Sequence, residues 1–433
     1  MFWKKKPKED KNAAPPPPAR AEARPEPRPP EAQRAPPPAQ PRAQPAAPSG
    51  GDQRAQLVAA LARRAGPLAA PMTVETLDAQ KRALDVLLAD TSLQGVVRDI
   101  AAGQTDAAFA ALELHASGAR NADMWRHAGA VMYGVDGPRA RKAYEQSFAV
   151  DPRHFWGAIF VARLRALSQD INGANDAASA AILAAQTPDE RGVAFFEAAL
   201  ISMAREDYEA VVVHGAHAIE ASRASIKAGA RDALALRDFV ARLSLVADAN
   251  VARQNYAAAQ SHYAEALVGA RKLAQAAGGA AAVQRGVAEL LEKSASIASG
   301  ATDHELALHF AEEAVAIRRS ILSDPNDSGA YSALASALNS LGEVRRILGQ
   351  TVVAKTTFKD AIENARTALS LNPSDPTARR DVWLALWRLA SMDGGGISWR
   401  QVADAMETVA ASGGLNPKHQ HFLDEARRRA AAT

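Results

Sequence analysis

Apolar residues recur every three or four positions along most of this chain, from about residue 53 onward. Leu57 and Leu61 lie four positions apart, and Leu87 follows Leu84 by three. This spacing puts apolar side chains on one face of an α-helix, where a neighbouring helix can cover them. No segment shows the sustained alternation with β-branched residues that is typical of strands. The pattern predicts an all-α chain with essentially no sheet.

One motif in the second half of the chain copies itself at a fixed step. An Ala-x3-Tyr-x2-Ala motif begins at Ala259 and returns from Ala354 as Ala-x3-Phe-x2-Ala. A third copy begins at Ala307, with its aromatic residue displaced to Phe310. The three copies are 48 and 47 residues apart. Self-similarity at a fixed period predicts a stacked array of repeats and not a single closed globule.

Small residues mark where the two helices of each repeat are expected to cross. Gly342 and Ala354 lie 12 positions apart, on either side of a predicted turn at Gly349-Gln350. The same spacing separates Ala247 from Ala259 and Ala295 from Ala307. Backbones can approach closely at such positions, and a larger residue such as Phe358 then fills the gap to the next helix.

The arrangement resembles the tetratricopeptide repeat (TPR) family. The residues that match the offsets of that family are Leu338, Leu341, Gly342, Ala354, Phe358 and Ala361. The resemblance implies a helix-turn-helix solenoid whose first helices line a concave face. A familiar TPR unit has about 34 residues, so we interpret the 48-residue step as lengthened helices. The part after Ser320 also resembles the TPR tails of bacterial signalling proteins. An Ala-rich helical bundle with accidental spacing is the alternative.

Four segments follow from these patterns. They are a disordered Pro/Ala/Arg-rich tail (1–52), degenerate TPR-like repeats (53–230), long-helix TPR-like repeats (231–392) and two capping helices (393–433). Helix starts are predicted by capping boxes, in which a Ser or Thr and an acid or amide three residues later satisfy the first free N–H groups. The predicted boxes are Thr187 with Glu190, Thr302 with Glu305, and Ser398 with Gln401.

Charge and proline are concentrated in the tail. Residues 1–52 hold 15 of the 24 prolines, and they have little to bury, so we expect polyproline II character and a spacer role. Residues 1–50 carry ten Lys/Arg and five Asp/Glu, a charge of +5. Since the whole chain sums to +3, the remainder is at −2. Nucleic acid is therefore not expected as a partner, although Arg271, Arg319 and Arg366 nearly keep the repeat step.

The first eight residues suggest a second use for the tail. Two aromatic residues are followed by four cations, and together they could sit on an anionic membrane surface. These tether candidates are Phe2, Trp3, Lys4, Lys5, Lys6 and Lys8. The stretch is too short to span a bilayer and lacks the apolar run of a secretory signal. A plain solubilising tip is the other interpretation.

No pattern of catalytic or metal-binding chemistry is present in the sequence. There is no cysteine, no phosphate-binding GxxxxGK[ST] loop and no GxGxxG. His304 and His309 are five apart, which points them to different sides of a helix. His214 and His217 are three apart, but the nearest third candidate, Glu220, lies further round the helix. We therefore predict no enzyme activity, no metal site and no cofactor.

The resemblance implies a partner-binding groove on the first helix of each repeat. In one unit that helix would turn Asn339, Glu343 and Arg346 into the groove. The corresponding positions two units earlier are Ser244 and Asp248, and one unit later they are Trp387 and Ser391. This mixture of acids, bases, amides and one Trp suits recognition of a peptide or a helix. Trp387 could equally belong to the core. A carboxylate clamp, as in chaperone-binding members of the family, needs Lys and Asn on adjacent helices. Glu343 and Asp248 stand in its place, so that class of partner is not expected.

The sequence therefore predicts a non-enzymatic adaptor that binds a peptide or helix of a protein partner in the concave face of a TPR solenoid. The alternative is a membrane-peripheral assembly factor, tethered by the basic aromatic N-terminus. The expected setting is a bacterial cytoplasm, with weak contact to anionic membrane surfaces under the alternative.

Overall fold

The computed structural model describes residues 50–119, 121–228 and 233–432. The tether candidates and the predicted disordered tail up to residue 49 lie outside these ranges, so both stay predictions. No strand occurs in the described ranges, and the all-α prediction is confirmed. The α-helices are α1 (Gly50–Ala62), α2 (Val74–Ala89), α3 (Gln94–Ala101), α4 (Thr105–Ala119), α5 (Ala122–Met132), α6 (Gly137–Val150), α7 (Phe155–Leu167), α8 (Ile171–Ala184), α9 (Pro188–Ala204), α10 (Tyr208–Ala228), α11 (Ala233–Ala252), α12 (Tyr256–Ala276), α13 (Ala281–Gly300), α14 (His304–Ile321), α15 (Ser328–Ile347), α16 (Thr351–Leu371), α17 (Pro376–Ala390), α18 (Trp399–Ala411) and α19 (Gln420–Ala431).

From α5 onward, consecutive helices pair as hairpins, and each hairpin packs on the next. The first helices begin at residues 122, 155, 188, 233, 281, 328 and 376, which gives steps of 33, 33, 45, 48, 47 and 48 residues. The step grows because the helices lengthen: α7 has 13 residues and α11 has 20. The array thus contains short repeats followed by long ones. Because each hairpin packs on its neighbours along the array, the alternative of an Ala-rich helical bundle is wrong. This is a solenoid of TPR-like hairpins.

The turns inside the hairpins repeat with the same step. Gln254, Thr302 and Gly349 each precede a second helix, and each has a positive φ, of 60°, 63° and 74°. The left-handed conformation reverses the direction of the chain, and the following residue is then the N-cap of the second helix. The cap of α14 is therefore Asp303, whose side chain accepts from the N–H of Leu306. The predicted capping box at Thr302 is wrong, because that residue forms the turn itself.

The predicted capping boxes at Thr187 and Ser398 are confirmed, with both reciprocal hydrogen bonds present. The crossing of α15 and α16 also follows the expectation. Gly342 and Ala354 are both buried, and a Cβ at Gly342 would come within 2.7 Å of the Phe358 ring. Phe358 is fully buried. Glycine therefore allows the aromatic ring of the second helix to lie directly on the backbone of the first.

The two faces of the long repeats differ in how closely neighbouring helices approach. First helices contact each other directly, as in α9 with α11, α13 with α15 and α15 with α17, whereas α11 and α13 stand further apart. Among the described helices, neighbouring second helices make no comparable contact and are linked by exposed ion pairs. These pairs are Arg223–Glu265, Arg271–Glu313 and Arg319–Asp360, at 2.7, 2.5 and 3.2 Å. Closer approach on one side curves this part of the array, so the first helices lie on its inner face.

The last two helices pack on α17. Trp387 of α17 makes edge-to-face contacts with Trp399 of α18 and Phe422 of α19, with ring centroids 5.0 Å apart in both cases.

At the other end, α1 begins at Gly50, so residues 50–52 are helical. The predicted tail had included these three residues.

Candidate partner-binding face

A polar cavity of about 300 Å³ lies between α13, α15 and α17. It is lined by Asn339 and Glu343, two of the residues that the sequence places in the groove, and by Glu292 and Ser296, which occupy the corresponding positions one unit earlier. The fixed repeat step brings these four together, because the first helices of consecutive hairpins lie side by side in register.

Asn339 provides an acceptor without a partner in this cavity. Its side chain is buried, at 5% exposure, and its Nδ2 donates to the backbone carbonyl of Asp381 at 3.0 Å. That bond fixes the orientation of the amide, because a flipped amide would put two oxygens together. The Oδ1 atom has no hydrogen-bond partner within the described residues. A buried acceptor without a donor costs free energy, so a movement of the cavity wall that brings an N–H or O–H donor to Oδ1 would be favoured.

Glu343 is the centre of an ion-pair network on the same face. It accepts from Arg346, at 2.9 Å to both carboxylate oxygens, and pairs with Arg388 at 3.2 Å. Burial acts to raise the pKa of Glu343, but the hydrogen bond from Arg346 and the charge of Arg388 outweigh it, so its pKa is lowered. The pKa of Arg346 is raised by the same hydrogen bond. Both groups stay charged at neutral pH, and they hold the rim of the cavity polar.

Sequence reasoning did not identify Asp381 as part of this site. It is 1% exposed, accepts from the Ser336 hydroxyl and pairs with Arg380. Burial raises its pKa, against the opposing hydrogen bond from Ser336. The one signal in the sequence was a charged residue at a buried position of α17. That signal does not indicate that Asp381 lies next to Asn339, 42 residues earlier.

The charge pair at the groove positions recurs in alternate repeats. Asp248 of α11 pairs with Lys293 of α13 at 2.8 Å, and Glu343 of α15 pairs with Arg388 of α17. Both pairs join residues 45 positions apart. At the corresponding positions of the intervening unit stand two serines, Ser296 and Ser340, both of which line the polar cavity. The cavity therefore opens where short hydroxyls replace a long ion pair.

The remaining predicted groove residues lie elsewhere. Ser244 lines a second, apolar cavity of about 710 Å³ on the other side of α13. Asp248 accepts from the Tyr263 hydroxyl, in addition to its pair with Lys293. Trp387 is half-buried against the C-terminal helices, and the exposed Ser391 donates to the carbonyl of Trp387 at 2.9 Å. The structure thus groups Asn339, Glu343 and Arg346, and separates the other four.

The histidines considered as metal ligands have another environment. His217 and His214 both stack on the Phe195 ring, at 4.7 and 6.2 Å. Across the described ranges, no group of three His, Asp or Glu side chains has the geometry to hold a metal ion. None of the described helices combines the length and apolar character that a membrane span requires.

No protein-family model matches the sequence, and no curated protein matches it. Solved structures of low similarity do exist. The apo form of RapI is 13% identical, with 64% of this chain and 99% of that chain covered, at a TM-score of 0.40. The C-terminal part of a TPR repeat-containing protein from Cytophaga hutchinsonii is 12% identical, with 64% and 94% covered, at 0.42.

A third structure, YrrB, is described as a TPR protein with an unusual peptide-binding site. It is 12% identical, with 55% of this chain and 97% of that chain covered, at a TM-score of 0.32. All three TM-scores lie below 0.5, so these structures carry no argument about the fold. The fold class follows from the pairing of the chain's own helices. The chain folds as a TPR-like solenoid. What a TPR-like solenoid of this sequence does depends on the chemistry of its inner face.

Proposed function

We propose that this TPR-like chain is a non-enzymatic adaptor that holds a segment of a protein partner on its inner face, between α13, α15 and α17. The observation that carries this proposal is Asn339, a residue that lines the cavity and whose buried Oδ1 acceptor has no donor within the described residues. A polypeptide supplies N–H donors at every residue except proline. The Glu343 network next to it offers charges of both signs for the side chains of the partner.

The test is a quantitative affinity capture with the full chain as bait. Ser296 is exposed at the cavity and makes no hydrogen bond through its side chain within the described residues, so Ser296→Tyr fills the cavity without removing a contact. Ser320→Tyr is the control, because Ser320 is an exposed serine of the second helix α14, and its hydroxyl donates to the carbonyl of Ile317 within its own helix. Unchanged helicity and thermal melting would be confirmed for both variants.

We expect at least one protein to bind the native chain and the Ser320→Tyr variant, and to be lost from the Ser296→Tyr variant. The binding of that protein to the purified native chain and to the purified Glu343→Gln variant would then be measured. If every captured protein binds the Ser296→Tyr variant as well as the native chain, the partner does not use this cavity and the proposal is wrong.

A further inference from the structure

The apolar cavity next to α13 has walls that run along two first helices. Its lining follows a helical stripe on α11, from Ala233 to Ser244, and another on α13, from Ala282 to Lys293. Eleven residues of helix are about 16 Å long. The C-terminal half of α12, from Ala270 to Ala277, forms the floor. The cavity is thus an elongated groove between parallel helices.

The groove exists because its side chains are small. Seven of its sixteen lining residues are Ala or Gly. Gly286 is the clearest case, since a Cβ built on it has no atom within 4 Å. Larger residues at these positions would fill about 710 Å³ of apolar space that now remains open. An open apolar volume of this size on the inner face is typical of a binding site.

Three of the four polar side chains in the lining are already engaged. The Ser244 hydroxyl donates to the carbonyl of Val240 at 2.9 Å, Lys293 pairs with Asp248 at 2.8 Å, and Arg237 pairs with Asp238 at 3.1 Å. An extended peptide in this groove would find too few groups to pair with its backbone N–H and C=O, since Glu289 is the one polar lining side chain left without a partner named here. A helix satisfies its own backbone groups and needs only apolar surface. The groove therefore discriminates against extended chains.

One lining charge remains available. Glu289 is exposed and makes no ion pair within the described part of the chain. It lies on α13 between the groove and solvent, so a cation on the occupant would meet it at the rim. A basic residue beside the apolar side chains would complement this surface.

We propose that the groove between α11 and α13 binds an amphipathic helix of the partner, about three turns long, which inserts apolar side chains spaced three or four residues apart and directs a Lys or Arg at Glu289. This inference rests on the proposed function and specifies it, because it assigns the secondary structure and chemistry of the bound segment at a second part of the same face. The apolar side chains displace water from the groove and supply most of the affinity.

The test uses a random-sequence mRNA-display library of 16-residue peptides selected on the immobilised full chain. Peptides that are recovered would be synthesised, their Kd measured by fluorescence anisotropy and their helicity by circular dichroism. Gly286→Phe fills the groove, and Gly300→Phe is its control on the same helix, because a Cβ at either glycine meets open space. Neither new Cβ would have an atom within 4 Å, and both substitutions replace a poor helix former.

We expect recovered peptides to carry apolar residues at helical spacing with a basic residue, and to gain helicity on binding. Gly286→Phe should weaken them at least about tenfold, the effect of losing one buried apolar side chain, while Gly300→Phe leaves the Kd within about twofold. Peptides that bind Gly286→Phe normally, or that stay non-helical when bound, would overturn the inference. If binding is instead lost only in Ser296→Tyr, the proposed function survives and this inference fails. Recovery of no peptide counts against both.

Discussion

The left-handed turns of the long repeats give a prediction with opposite signs at two corresponding positions. Thr302 and Gly349 occupy the same turn in consecutive hairpins, with φ of 63° and 74°. A β-branched residue is strained in this region, whereas glycine adopts it freely. Exchanging the two residue types should therefore stabilise one hairpin and destabilise the other.

The magnitude follows from two opposing contributions. The left-handed conformation costs an ordinary residue about 1–2 kcal/mol. Replacing Thr302 by glycine removes that cost. Glycine also loses more conformational freedom on folding, and this offsets about 0.5–1 kcal/mol of the stabilisation. The hydroxyl of Thr302 donates to the carbonyl of the exposed Ala301, and loss of this exposed bond changes little. Thr302→Gly should therefore raise the free energy of unfolding by about 0.5–1 kcal/mol, and Gly349→Thr should lower it by at least as much.

The assay has to resolve single hairpins, because repeat arrays need not unfold in one step. We would combine urea denaturation of the full chain with native-state hydrogen exchange of the amides in α13–α14 and α15–α16. Slower exchange in α13–α14 of Thr302→Gly, with faster exchange in α15–α16 of Gly349→Thr, is the expected result. If Thr302→Gly speeds exchange in its own hairpin, the turn is not strained and the reasoning fails.

Three further predictions concern packing, pH and surface charge. Gly342→Ala should destabilise the chain by about 1–3 kcal/mol in urea denaturation, because the new Cβ comes within 2.7 Å of the Phe358 ring. Burial, reinforced by the Arg126 charge, lowers the pKa of His154, whose Nδ1 caps α7. The native chain should therefore lose stability as pH falls from about 6.5 towards that lowered pKa; His154→Asn keeps a cap and should show a flatter profile, and identical profiles would contradict this. Glu313→Gln removes the exposed pair with Arg271 and should change thermal stability by less than about 1 kcal/mol; a larger loss would mean that these pairs hold the array together.

The repeat architecture could be predicted because it depends on residue chemistry at fixed spacing. The two helices of a hairpin can pack closely only if the residue at position 342 is small and the residue at position 358 is large. Each repeat therefore carries small and large residues at the same spacing in the sequence. The lengthened step and the pairing of helices follow from that pattern. The same spacing places Asn339 and Glu343, which line the polar cavity, at groove positions counted from the buried Leu341, although the sequence did not predict the cavity itself.

What could not be predicted depends on angles between helices. The apolar groove results from small residues such as Gly286, which in a sequence resemble the small residues of close helix crossings. The surroundings of Trp387 depend on how α18 and α19 turn back after three consecutive glycines, two of which have positive φ. The misassigned cap at Thr302 has a local cause, because Asp303 is an equally good capping residue and the turn needed one residue more.

The central claim is that the inner face formed by the first helices binds the partner. Hydrogen exchange of the full chain, with and without a saturating peptide or captured protein, tests it most directly. The account predicts slower exchange in α11, α13 and α15, around the two cavities, with no change in the second helices α12, α14 and α16 beyond the floor of the apolar groove. Protection confined to the second helices, on the face that carries the Arg271–Glu313 pair, would contradict it.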